Sequence, residues 1–152
     1  MKKFEFRFQT VLEKQRNEEE RFRKQLAHLS HAMETQKQRL AHIDAQKDDC
    51  EEELRGLIRR GGNVAQAMLF QVYLGKLSED MAKQEEVVAN VSKKTEEKRQ
   101  ELVEAAKQRQ IMEKLLERDR LDFTLRLEKT EQKYLDELAL NKYVREGTST
   151  EH

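Results

Sequence analysis

The chain has 152 residues, of which 39% are charged, 36% apolar and 6% aromatic, and it contains no proline. Globular chains average about 45–50% apolar and about 25% charged residues, so this composition excludes a layered fold around a thick core. Lys+Arg and Asp+Glu both count 30, and the formal net charge is zero. This balance argues against the basic surface that nucleic-acid-binding proteins usually carry.

The sequence also lacks the signals of export or membrane insertion. No apolar run approaches the roughly 18 residues of a membrane span, and Glu5 stands where a signal peptide needs apolar residues. The single cysteine cannot form an internal disulfide. We expect a cytoplasmic protein without a transmembrane segment.

Two runs of helical periodicity lie on either side of a glycine-containing segment. In the first run, apolar residues recur at alternating steps of three and four, the spacing of a coiled-coil seam. Eleven of its sixteen seam positions, counted from Glu5 to Leu57, are apolar. In the second run, from Ala67 to Phe123, the seam is interrupted by Thr95, Lys98 and Arg109. We therefore predict an all-α fold, an antiparallel two-helix coiled-coil hairpin.

The segment Arg59-Arg60-Gly61-Gly62-Asn63 predicts the turn between the helices. Glycine tolerates the left-handed conformation that ends a helix, arginines suit its negative pole, and Asn63 can cap the next helix. We predict helix one from about residue 8 to about 58, the turn at about 59–63 and helix two from about 64 to about 143. Residues 1–146 form one hairpin domain in this prediction, and residues 147–152 form a disordered tail.

A turn centred near Gly62 sets the register of the two helices, with Phe22 opposite Leu102 and Cys50 opposite Leu74. The N-terminal end of the shorter helix one then lies opposite residue 116. Residues 117–143 of helix two therefore extend beyond it as a single helix of about 40 Å. The apolar residues of this overhang are too numerous for a helix in water, which predicts an interaction surface. They are Leu121, Phe123, Leu125, Leu127, Tyr134, Leu135, Leu138, Leu140 and Tyr143.

The patterns that resemble chemical sites are incomplete. Gly56 to Gly61 has the glycine spacing of a phosphate loop, but the Lys and Ser/Thr that bind phosphate and magnesium are missing. His28 and His31 lie three residues apart without a third metal ligand. Cys50 stands among five acidic residues that should raise its pKa. We predict no enzymatic activity, no metal site and no cofactor.

Three of the six phenylalanines, Phe4, Phe6 and Phe8, cluster at the N-terminus. They can pack on helix two near Leu116 and Phe123, or they can contact a partner. The sequence alone is compatible with both interpretations.

Both ends of the chain resemble the FliJ family, coiled-coil proteins of the bacterial flagellar type III export apparatus. The N-terminal match is Phe4-x-Phe6-Arg7-Phe8-Gln9-x-Val11-Leu12, although the family more often has Leu at the position of Phe8. The C-terminal match is Glu131-x-Lys133-x-Leu135-Asp136-Glu137-x-Ala139.

The resemblance implies a non-enzymatic stalk, similar to the gamma subunit of rotary ATPases, that inserts into the hexameric flagellar export ATPase and promotes its assembly. It also implies contacts with the cytoplasmic domain of the export-gate membrane protein and with export chaperones, and a location at the cytoplasmic side of the inner membrane. On this basis we assign the ATPase contact to Arg7, Glu131, Lys133, Leu135, Asp136 and Glu137. The export-gate contact is assigned to Phe70, Tyr73 and Leu77.

Other functions compete with this one. The apolar overhang also suits a coiled-coil scaffold that associates with itself, and virulence-type secretion systems have equivalent stalk proteins. An RNA-binding helical arm is a further alternative, which the neutral charge opposes.

Overall fold

A computed structural model describes residues 2–150 and contains two α-helices, α1 (Gln9–Arg59) and α2 (Val64–Ser149). No strand is present within residues 2–150. The predicted all-α fold of two packed helices, the second of them longer, is confirmed.

The end of α2 differs from the sequence prediction. The helix was expected to stop near Tyr143 and to be followed by a disordered tail over 147–152, but it continues to Ser149. The hydroxyls of Thr148 and Ser149 donate hydrogen bonds to the carbonyl of Arg145, both at 2.9 Å. The last carbonyls of a helix lack backbone N–H donors. Hydroxyl side chains thus supply hydrogen bonds near the end of α2. Residues 151 and 152 of the predicted tail lie outside the described residues.

The chain divides into two compact units, and both helices contribute to each of them. Glu18–Glu104 form one unit, and Met1–Asn17 with Ala105–His152 form the other. The prediction of a single hairpin domain over residues 1–146 stays a prediction.

In the unit of Glu18–Glu104, a tight glycine turn joins the helices. Gly61 has φ +68°, and its amide donates to the carbonyl of Ile58 at 3.1 Å, while Gly62 donates to Leu57 at 3.0 Å. This bond pair is the Schellman motif, which satisfies carbonyls at a helix end. Asn63 then caps α2, because its Oδ1 accepts the amide hydrogen of Ala65 at 2.9 Å.

Two glutamines meet in the seam of the same unit. The side-chain amide of Gln84 donates to Oε1 of Gln36 at 2.7 Å and to the backbone carbonyl of Gln36 at 3.0 Å. Both residues are half-buried. The register predicted from the turn would instead place Gln36 opposite Val88 and Gln84 opposite Leu40, burying each amide against an apolar side chain.

Two other contacts across the seam have the same register as the glutamine pair. The ring of Phe22, predicted opposite Leu102, faces the amine of Lys98 at 5.1 Å. The thiol of Cys50, predicted opposite Leu74, lies against the carbonyl of Phe70 at 3.8 Å. Both contacts lie one helical turn closer to the loop than predicted. A buried polar pair is known to specify coiled-coil register, and here the glutamines supply the physical reason for the difference.

In the other unit, the N-terminal residues pack on α2. Leu12 is fully buried and Phe6 is 9% exposed. The Phe4 ring packs on Phe123 with centroids 5.5 Å apart, and the guanidinium of Arg120 lies 5.6 Å from the centre of the Phe4 ring. At least part of the aromatic cluster therefore has a structural role.

The same unit also contains two ion pairs, both formed by the carboxylate of Glu113. Glu113 on α2 accepts from Arg16 of α1 at 3.3 Å and from Arg109 at 2.7 Å. Because the carboxylate is one-third exposed, solvent screens both ion pairs. Only Arg16–Glu113 joins the two helices, and we attribute to it their orientation more than their stability.

The unpaired part of α2 begins later than predicted. The sequence placed its start at Glu117, yet Asp119 and Phe123 are half-buried. The reason is that residues 2–8, which precede α1, continue along α2 and bring Phe4 onto Phe123. Every residue from Thr124 to Thr150 is exposed. We call residues 124–149 the terminal segment.

Gly61 in the turn and Gly75 within α2 have different backbone conformations, which predicts opposite effects of alanine substitution on stability. Gly61→Ala places a Cβ in the left-handed region and should lower the free energy of unfolding by about 1–2 kcal/mol. Gly75 lies on the exposed side of α2 with no atom near its Cβ position, so Gly75→Ala should raise it by roughly 0.5–1 kcal/mol. Urea unfolding followed by circular dichroism measures both. Changes of the same sign in the two variants would contradict this account of the turn.

The glutamine pair predicts energetic coupling. Gln84→Leu leaves the amide of Gln36 without its partner, so each single Leu variant should destabilise the hairpin, while the double variant Gln36→Leu with Gln84→Leu should recover stability. A double-mutant cycle in urea should give a coupling energy of about 1 kcal/mol. Additive effects of the two substitutions would show that the glutamines do not set the register.

Candidate partner-binding surfaces

The residues that resembled chemical sites do not assemble into one. Within residues 2–150, no three His, Cys, Asp or Glu side chains are placed to share a metal ion, and His28 and His31 are both exposed.

Cys50 is a buried seam residue. Burial raises the pKa of its thiol above the ordinary value of a cysteine, and the carboxylates of Glu53 and Glu51 raise it further. The sequence predicts a raised pKa from the acidic neighbours, and the direction of the shift agrees, although burial is its larger cause. A thiol that stays protonated at neutral pH is a poor nucleophile.

The residues assigned to the ATPase contact are all exposed. Glu131, Lys133, Leu135, Asp136 and Glu137 lie on the terminal segment, where they have no contact with α1 to bury them. Leu135 is 58% exposed, and Asp136 accepts a hydrogen bond from Gln132 at 3.0 Å within the same helix. These side chains are available to a partner.

Arg7 occupies a different place from the other five residues. It precedes α1, and its guanidinium lies 5.5 Å from the centre of the Phe8 ring. The nearby N-terminal residues are anchored on α2 at Phe123 through Phe4. At 1.5 Å per residue, Glu131 lies about 12 Å farther along α2 than Phe123. Arg7 and the 131–137 residues thus belong to separate patches of one unit.

The residues assigned to the export-gate contact differ in exposure. Tyr73 is 46% exposed and Phe70 is half-buried, but Leu77 is only 4% exposed. Leu77 is a seam residue, so its side chain is not available for a partner while the helices are packed. Near Tyr73 lies an open groove of about 670 Å³. It is lined by Glu53, Leu57, Arg60, Gln66, Leu69, Phe70 and Tyr73.

A second apolar face, which the seam pattern does not predict, lies near the turn. Val64, Met68 and Val72 are exposed and recur at steps of four, which places them on one side of α2. Leu69 and Ile58 are also exposed. The spacing was visible in the sequence, but the seam pattern used Ala67, Phe70 and Leu74 and left these residues unassigned.

The terminal segment contains a further residue that was not identified. Val144 is 59% exposed and lies beyond the predicted end of helix two. A shallow groove of about 460 Å³ on the same segment is lined by Thr130, Glu131, Tyr134 and Leu135. Tyr134 therefore adjoins two of the residues assigned to the ATPase contact.

Neither helix, over the described residues, combines the length and apolarity required to cross a bilayer. No curated protein and no solved structure matches the chain significantly.

A comparison with protein families gives a match over nearly the whole chain. The family described as flagellar FliJ protein matches residues 4–148, a range that includes both terminal motifs and the turn. Proteins of this family are structural, chaperone-like components of flagellar export and not enzymes. The chain therefore belongs to the flagellar FliJ family and is a component of the flagellar protein export machinery.

Proposed function

We propose that this protein is a stalk whose terminal segment inserts into the ring of the hexameric flagellar export ATPase and promotes its hexamerisation and hydrolysis. The observation that supports this proposal is the terminal segment itself, a continuous helix with every side chain exposed. A single helix is about 10–12 Å across with its side chains. A helix of this width can enter a passage that excludes a globular domain.

The charges of the terminal segment suit contact with several subunits. Residues 124–149 carry five basic and five acidic side chains, interspersed along the helix. A surface of mixed sign has no strong attraction to one position on a charged partner. The segment can therefore contact equivalent subunits in turn without being held tightly by one of them.

The groove near the turn supports a second contact, with the cytoplasmic domain of the export-gate membrane protein. Tyr73 and Phe70 line this groove, and the exposed Leu69 extends its apolar surface. Leu77 is left out of this contact, because its side chain is buried in the seam. A protein that joins the ATPase to the gate would be cytoplasmic and peripherally associated with the inner-membrane apparatus, and export chaperones are further partners in this proposal.

Self-association into a coiled-coil scaffold is the second candidate, and the exposed apolar residues of the terminal segment favour it. Sedimentation equilibrium separates the two functions, since a monomer at micromolar concentration excludes the scaffold. A virulence-type secretion stalk would share the ATPase contact but act with a different ring.

Leu135→Asp should abolish stimulation of the cognate ATPase, because it places a charge within the proposed contact. The helicity of the protein should hardly change, since Leu135 is exposed. The measurements are ATP hydrolysis and hexamer formation with increasing amounts of the protein. Leu69→Asp is the matched control, with the same substitution at a 70% exposed leucine near the turn, and it should stimulate like the wild type.

A large loss of helicity in Leu135→Asp would assign this residue to folding instead of binding. Failure of the wild-type protein to change hydrolysis over a wide concentration range would contradict the proposed function.

A further inference from the structure

The segment around the turn differs in charge from the rest of the chain. Residues 54–78 contain four basic residues and no acidic one, although about one residue in five of the whole chain is acidic. The basic residues are Arg55, Arg59, Arg60 and Lys76. Within residues 2–150, Arg55, Arg59 and Lys76 form no ion pair. Their charges are therefore available to an anionic partner.

Four exposed apolar residues share the side of α2 that faces away from α1. Leu74, which is half-buried, marks the seam side of the helix. With about 100° between successive residues, the four lie within about 60° of the direction opposite Leu74. We call them the outer face, and they are Ala65, Met68, Leu69 and Val72. The three larger side chains are between 62% and 72% exposed.

Basic residues border the outer face at both ends. Arg59 and Arg60 precede it at the turn, and Lys76 follows Val72 by one turn on the same side of the helix. A lysine can extend its amine to lipid headgroups while its methylene groups stay beside apolar neighbours. The next charged residue along α2 is Glu79, so the outer face ends where the charge changes sign.

An apolar helix face bordered by basic residues is typical of helices that lie in a membrane interface. Such a helix immerses its apolar face by about 5–10 Å and is attracted to anionic lipids. Since a helix is about 10–12 Å across, this depth covers the outer half of α2 and leaves α1 above it. The acidic residues 48–53 of α1 are then about 8–10 Å farther from the lipid, which is comparable to the Debye length at physiological salt.

The outer face is distinct from the groove proposed for the gate contact. On α2 that groove is lined by Gln66, Leu69, Phe70 and Tyr73, so that Leu69 alone belongs to both surfaces. The outer face is the convex side of one helix, and a fluid bilayer can conform to such a surface without a matching cavity.

We infer that the outer face docks on the surface of a bilayer that contains anionic lipids, with Arg59, Arg60 and Lys76 beside the phosphates. Over the described residues neither helix could cross a bilayer, so the contact is with its surface. The inference goes beyond the proposed function, in which the protein reaches the membrane only through the gate protein.

Flotation of the purified full-length protein with lipid vesicles tests this inference. The protein should float with vesicles that mix phosphatidylglycerol with phosphatidylcholine, and it should stay unbound with phosphatidylcholine alone. Raising the salt concentration from about 0.1 M to about 1 M shortens the Debye length from about 10 Å to about 3 Å, and it should weaken the binding several-fold.

Two variants of the outer face and its border should bind these anionic vesicles less tightly. Lys76→Gln removes one basic residue and should weaken binding about fivefold. Met68→Gln combined with Val72→Gln removes two apolar side chains from the interface and should weaken it about tenfold or more. Circular dichroism should show wild-type helicity, because all three residues are exposed. The matched controls Leu138→Gln and Lys142→Gln, at exposed positions of the terminal segment, should bind like the wild type.

A fluorescent residue locates the contact directly. The chain contains no tryptophan, so a single introduced tryptophan reports its own surroundings. The emission of Val72→Trp should shift to shorter wavelength when anionic vesicles are added, while that of the control Leu138→Trp should not. A shift confined to Leu138→Trp would assign the lipid contact to the terminal segment and contradict the inference.

Three further results would overturn the inference. They are no binding of the wild type to anionic vesicles, equal binding to phosphatidylcholine alone, and equal weakening by the control variants. If vesicles are not bound but the isolated cytoplasmic domain of the gate protein is, and the Met68 and Val72 double variant loses that binding, the outer face is a protein contact. The proposed function would stand in each case, because stimulation of the ATPase is measured without lipid.

Discussion

Coverage by the opposite helix is the constraint on which the rest of this structure depends. In a two-helix coiled coil, a seam residue is buried only where the partner helix reaches it. Since α1 has 51 residues and α2 has 86, the end of α2 cannot be covered by α1. The N-terminal residues partly extend the coverage, because Phe4 packs on Phe123. Beyond that contact, every apolar side chain between residues 124 and 149 is exposed.

The seam itself combines weak packing with specific polar contacts. Among residues 2–150 few apolar side chains are buried; Leu12, Cys50 and Leu77 are among them, and Leu12 alone is fully buried. The pair Gln36–Gln84 and the ion pair Arg16–Glu113 join the two helices and favour one alignment of them. A polar pair in a seam stabilises less than an apolar one but favours a single register. The helices are thus aligned by few contacts, and the position of every exposed patch along them depends on that alignment.

We infer that the function of this protein depends on the side chains that the fold leaves exposed. The groove beside Tyr73 lies near the turn, and the residues assigned to the ATPase contact at 131–137 lie on the terminal segment, so the two surfaces belong to different units. Two surfaces of different character allow two partners to be recognised without competing for the same residues. The groove is open and of mixed polarity, whereas the terminal segment is an exposed helix that carries both apolar and charged side chains. We therefore propose a different type of partner for each, a folded domain for the groove and the ATPase ring for the terminal segment.

The sequence by itself determined the two helices, the glycine turn with its Asn63 cap, the seam positions and the family, because these depend on local spacing and residue type. It also indicated the exposed end of α2, since the helix lengths are local properties. The tertiary structure decided the register, the groove beside the exposed Tyr73, and the coverage of Phe123 by Phe4. The physical reason is that a heptad pattern repeats, so a shift of one turn still matches apolar residues with apolar residues. Only the actual contacts of polar and aromatic side chains distinguish one alignment from the next.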